Sequence, residues 1–248
     1  MFLAIFKSIF KRRDVGILLG FSLLPLITPF FMENQDFDTM ANSGFTSNLL
    51  SFTSGALDTQ FKLIIPTLIL GFIVSSVFRD EIDSGIMFLY KDISKTKIFK
   101  AKMRGLFLLY TIYLLMSVLI SIITYYIILI PHFGMCARLV SSSWLEIKSS
   151  ALMLLATIFL NLITISLFAC ISIKKKTLVS VLSGVLFTLI SMIAPMLSSL
   201  KYLFPNSYSE LLNQFNFVTA LIIMVILFVI YFLTPYLLAK LRFKKLEF

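Results

Sequence analysis

Charge is scarce in this 248-residue chain, and histidine, tryptophan and cysteine are scarcer still. Charged side chains make up 14% of it, against about 25% in an ordinary soluble domain. Together with a mean hydropathy of +0.98, that shortage excludes a water-soluble globular fold. A single histidine, His132, has no companion ligand for a metal. The absence of HExxH and of paired carboxylates inside an apolar run leaves no acid/base or zinc constellation, so no catalytic residue is assigned. The chain also lacks GxxxxGK[ST] and cannot hydrolyse ATP by that route. Cys136 and Cys170 are expected near opposite faces of a bilayer, beyond the ~7 Å that a disulfide tolerates, and are read as free thiols.

What the chain does have is apolar length. Six blocks approach the roughly 20 residues of a membrane span: 15–32, 61–78, 105–130, 149–173, 177–200 and 217–239. The expected fold is therefore an all-α integral membrane protein of six transmembrane helices forming one domain. A β-barrel would show short alternating segments instead. Of the 22 Lys and Arg residues, 18 fall in segments 1–14, 79–104, 174–176 and 240–248. This bias predicts both termini and the 79–104 loop in the cytoplasm. The basic pI of about 9.6 then reflects topology and anionic lipid rather than a nucleic-acid partner.

Phe2, Ile5, Phe6 and Ile9 recur at helical spacing with Lys7, Lys11, Arg12 and Arg13 close by. The pattern predicts an amphipathic helix over 1–13 lying in the membrane interface. A signal peptide would put its basic residues before the apolar core, the reverse of what is seen. Gly16 and Gly20 form a GxxxG that permits close helix approach. Pro25, Pro29, Pro66, Pro195 and Pro235 fall inside predicted spans, where they shape helices. The spans hold no ionisable groups away from their ends, which argues against an ion-coupled transporter. Asn161, a mid-span amide, seeks a partner helix or polar cavity, and Thr164 lies one turn further on; both are candidates for a path lining or an interhelical contact. The segment 33–60 has no strong period and is read as a loop with room for a short helix.

The most charged segment is 79–104, with 11 charged residues between two apolar blocks. Asp80, Glu81 and Asp83 suit the start of a helix, where carboxylates meet the positive end of its dipole. Ile86, Phe88, Leu89, Ile93 and Phe99 give the segment an apolar side. Such a helix docks in a groove on another protein or lies on the membrane.

The sequence Phe78-Arg79-Asp80-Glu81, then Gly85, then Ile93-Ser94-Lys95 and Lys102, resembles the first cytoplasmic loop of type-2 permeases of ATP-binding-cassette exporters. Asp92 stands where that family usually has proline, and Ile86 where threonine often follows the glycine. The resemblance implies that Glu81 and Gly85 begin a coupling helix and that Ser94 and Lys95 match a Ser-Arg pair. Lys102 then matches the lysine opening the third span, and Arg79 and Phe88 join the ATPase-coupling surface. It further implies two separate ATPase subunits carrying ATP and Mg, a second permease subunit as homo- or heterodimer, and a bacterial cell membrane. No cofactor is then bound by this chain. Small permeases of this length resemble those of Gram-positive peptide export and immunity systems, making an amphipathic peptide the expected cargo. The alternative is a non-transporting membrane subunit that recruits or senses a cytoplasmic partner.

Overall fold

The structure, a computed structural model, describes residues 2–27, 29, 48–85, 93–133 and 137–246. Among these residues all regular structure is helical. A short helix α1 (Phe2–Phe10) precedes α2 (Arg13–Gly20), which passes through a 3₁₀ turn into α3 (Leu24–Ile27). Then follow α4 (Leu49–Lys62), α5 (Ile65–Asp83), α6 (Lys95–His132), α7 (Trp144–Ser172), α8 (Thr177–Met196) and α9 (Phe217–Lys244). Between α8 and α9 lie two 3₁₀ turns, Pro205–Ser209 and Leu211–Asn213.

Four of these helices, α6 to α9, are long and apolar enough to cross a membrane, and α4 with α5 makes a fifth if the bent pair is one span. Among the described residues that accounts for four or five of the six spans expected. The first block, 15–32, is helical through Ile27 but broken at Phe21–Leu23, and apart from Pro29 its remainder lies outside the described residues. The second block does not run unbroken from 61. Its chain bends by 63° between Lys62 and Ile65, with Ile64 at φ 62, a conformation that costs a β-branched residue dearly. Pro66 sits in the first turn of α5, where its missing N–H is not needed. It starts a helix there instead of kinking one.

The stretch read as a loop carries α4, and that helix is buried along most of its length. Asn48 caps it: the side-chain oxygen accepts from Ser51 N at 2.9 Å while Nδ2 donates to Ser51 Oγ at 2.9 Å. The N–H groups of Leu49 and Leu50 donate to the carbonyls of Arg138 and Leu139 at 3.1 and 3.2 Å, so the orphan donors of the first turn are answered by another loop. Small residues Ser51, Ser54, Gly55 and Ala56 allow close approach to α7, and Ser51 Oγ meets Ser150 Oγ at 2.9 Å.

α7 is the central post, touching α4, α5, α8, α9 and the Pro205–Ser209 turn. Two glycines make this packing possible. The Phe168 ring on α7 is lodged where Cβ atoms at Gly71 of α5 and Gly184 of α8 would stand, 2.8 and 2.0 Å from its nearest carbons. Gly105 on α6 does the same for Ile9 of α1, at 2.9 Å. A Cβ added at either of the predicted pair Gly16 and Gly20, by contrast, meets nothing within 4 Å among the described residues. On the outside, α9 buries only 11% of its most apolar window. Its ridge of Ile222, Ile226, Val229 and Leu233 is exposed, a surface suited to lipid or another apolar helix.

Candidate functional site

Helix α5 does not stop where its apolar run stops. It continues through a π turn at Ser76–Asp80 and a last turn at Glu81–Asp83, and Gly85 ends it at φ 69. Asp80, Glu81 and Asp83 therefore lie at the end of a helix, not at the start of one. A carboxylate there opposes the negative end of the dipole, and cations are gathered around it. Arg79 forks onto Asp83 one turn away, Nε to Oδ2 at 2.8 Å and Nη2 to Oδ1 at 2.7 Å. Glu81 takes two partners from elsewhere: Lys102 Nζ on α6 at 2.8 Å from Oε2, and Arg12 Nη2, between α1 and α2, at 3.2 Å from Oε1.

The Lys102 ammonium is 1% exposed. It also donates to the Val77 carbonyl at 2.8 Å, and it lies 5.3 and 5.8 Å from the ring centres of Phe78 and Phe243. Phe99 completes this aromatic nest, 5.9 Å from Phe78 and 5.7 Å from Phe243. One buried cation thus holds the ends of α5, α6 and α9, and through Glu81 the α1–α2 junction as well. Such a pair is desolvated, so its attraction is strong and so is the cost of breaking it. The third span was expected to open at Lys102. The helix starts two turns earlier, at Lys95, and folds Lys102 inward.

The other expected coupling residues are spread around this cluster. Ser94 caps α6 with its carbonyl, which accepts from Lys97 N at 2.8 Å, and Lys95 Nζ donates to the Leu246 carbonyl near the far end of the chain. A Cβ at Gly85 would meet nothing within 4 Å among the described residues, and the positive φ of 69 gives the position a conformational requirement for glycine. Replacing it with valine is expected to cost ~1–2 kcal/mol and asparagine less, measurable as paired shifts in unfolding midpoint. Phe88, Ile86, Leu89 and Asp92 lie outside the described residues, as does Cys136, while Cys170 is a buried free thiol beside Arg242, whose Nη1 donates to its carbonyl at 2.8 Å.

A second polar region lies mid-bundle. Asn161 lines a small cavity of ≈ 20 Å³ with Gln60, Thr67, Tyr110 and Tyr113, space for a single water. Tyr113 donates to Gln60 Oε1 at 2.9 Å and Asn161 Nδ2 to the Thr157 carbonyl at 2.9 Å. Thr164 does not join them: it is fully buried and returns its hydroxyl to the Leu160 carbonyl at 2.7 Å.

Arg12, Phe243 and Gln60 were not singled out from the sequence. Arg12 is one of four basic residues near the start and Phe243 one of 26 phenylalanines, so neither carried a distinguishing signal. Gln60 did, because it is an uncharged amide at the edge of an apolar block. No family model matches this chain, nor does any curated protein or solved structure.

Proposed function

We propose that this chain is the six-span permease subunit of an ATP-binding-cassette exporter in a bacterial cell membrane, with both termini and the 79–104 loop in the cytoplasm. It pairs with a second permease subunit and takes its energy from two separate ATPase subunits. A hydrophobic or amphipathic cargo, best described as a peptide, is moved outward. The observation carrying this reading is the Glu81 cluster. A protein pushing on the loop between α5 and α6 pushes on the Lys102–Glu81–Arg12 contact, which is shared by four parts of the chain. Discrete packed contacts of this kind move helices as rigid bodies instead of deforming gradually. The shortage of charge within the spans supports an external energy source, and the 18-to-4 distribution of Lys and Arg supports the orientation.

The direct test places a photo-crosslinking side chain at Ser84, which is exposed beside the cluster. Irradiation of native membranes should trap an ATP-binding-cassette ATPase, and Glu81→Gln should lower cargo-stimulated ATP hydrolysis in the purified complex. Crosslinks to lipid alone, or unchanged coupling in Glu81→Gln, would refute the assignment.

A further inference from the structure

A larger cavity, ≈ 480 Å³, opens at the end of the bundle away from Glu81, within the usual ligand range of about 300–1,000 Å³. Its walls come from the second half of α4, from α7, from the last turns of α8, and from the turn ending at Glu210. Met153, Ala156, Met192 and Met196 supply an apolar, adaptable lining. Besides the Lys62 ammonium and the Asn206 amide, the polar side chains around it are acceptors, and the hydroxyl protons among them are already committed. Thr157 Oγ1 donates to the Met153 carbonyl at 3.0 Å and Ser209 Oγ to the Asn206 carbonyl at 2.9 Å. Asn206 Nδ2 donates to the Ser191 carbonyl at 2.7 Å, while its buried Oδ1 accepts from nothing among the described residues.

Charge points the same way. The Lys62 ammonium is held by Asp58 at 2.6 Å, so that pair cancels and Glu210 leaves the cavity net negative. Lys201 lies over the Tyr202 ring at 4.9 Å and does not line the cavity. A neutral apolar molecule would bury these acceptors unanswered, and an anion would meet Glu210; both are penalised. A ligand with an apolar body and a cationic N–H donor satisfies both halves.

We infer that this cavity binds a hydrophobic primary ammonium, with its apolar body against the methionine lining and its charged head toward Glu210. The site goes beyond the permease assignment and needs neither ATP nor a second subunit. Failure here would leave the Glu81 coupling intact, and failure there would leave this site intact.

Dansylcadaverine, a fluorescent primary ammonium, serves as the probe, with its neutral dansyl pentylamide analogue as the control. Both are titrated against the full chain in lipid nanodiscs, with empty nanodiscs as the baseline. Saturable binding of the ammonium above that baseline is expected, with the neutral analogue weaker. Glu210→Gln should weaken the ammonium about fivefold and leave the analogue unchanged, the scale of one partly exposed charge. Ile193→Trp, at a half-exposed position on the rim, should exclude both. Binding no greater than to empty nanodiscs, equal affinity for the two probes, or a Glu210→Gln affinity within twofold of the parent would each overturn the site.

Discussion

Glu81→Leu should lower equilibrium stability in mixed micelles by about 3–5 kcal/mol, the cost of stranding one member of a buried ion pair. It takes the carboxylate from a Lys102 ammonium that is 1% exposed. Lys102→Met should cost less. Glu81 is 18% exposed and keeps Arg12 at 3.2 Å, and a methionine fits among Phe78, Phe99 and Phe243 as an apolar filler. The double variant, Glu81→Leu with Lys102→Met, should recover most of the loss, because neither desolvated charge then remains. This asymmetry and recovery test whether the two groups act as a pair. Additive losses would show that each residue serves a separate contact. Recovered stability with lost coupled ATP hydrolysis would place the role of the pair in transmission instead of folding.

How far the sequence anticipates this arrangement depends on what each signal measures. The apolar runs at 105–130, 149–173, 177–200 and 217–239 lie largely within α6, α7, α8 and α9. Helices longer than a bilayer are hidden from hydropathy, however. α6 has 38 residues, about 57 Å at 1.5 Å per residue, nearly twice the ~30 Å hydrocarbon core. Hydropathy reports where the apolar part begins, not where Lys95 starts the helix. At the end of α5 the same error reversed a polarity: the apolar run stops at Phe78, so Asp80, Glu81 and Asp83 resembled a new start. The Arg79–Asp83 pair at i, i+4 carries the old helix onward instead.

α4 was hidden for the opposite reason. Ser51, Thr53, Ser54 and Gly55 are common in loops, yet against α7 their small size is what lets two helices approach. In the candidate site, Glu81, Gly85 and Lys102 were named from the sequence, and Glu81 and Lys102 prove to be in contact. Their link to Arg12 spans 69 positions of chain, and no local pattern encodes it.

Gly184→Ala is expected to be among the most damaging single-methyl additions in the bundle, at about 1–3 kcal/mol for overpacking. The new Cβ would fall 2.0 Å from Phe168 Cε1 and 2.4 Å from Cζ, so the ring must move. Its way out is limited because the same ring edge lies 2.8 Å from where a Cβ on Gly71 would stand. On the α8 side, Ser180 fixes the backbone by donating to the Phe168 carbonyl at 3.1 Å. Ser75 on α5 donates to Thr177 Oγ1 at 3.0 Å, so the two flanking helices are themselves tied together. A smaller side chain should restore the balance: Phe168→Leu alone opens a void and destabilises, while Phe168→Leu with Gly184→Ala fills part of that void with the new methyl. The expected result is a double variant more stable than Gly184→Ala, read as a higher unfolding midpoint and recovered monodisperse protein. If Gly184→Ala matches the parent, α8 does not pack on Phe168 at this distance. Gly16→Ala supplies the comparison: nothing among the described residues lies within 4 Å of its added methyl, so the isolated chain should tolerate it without loss.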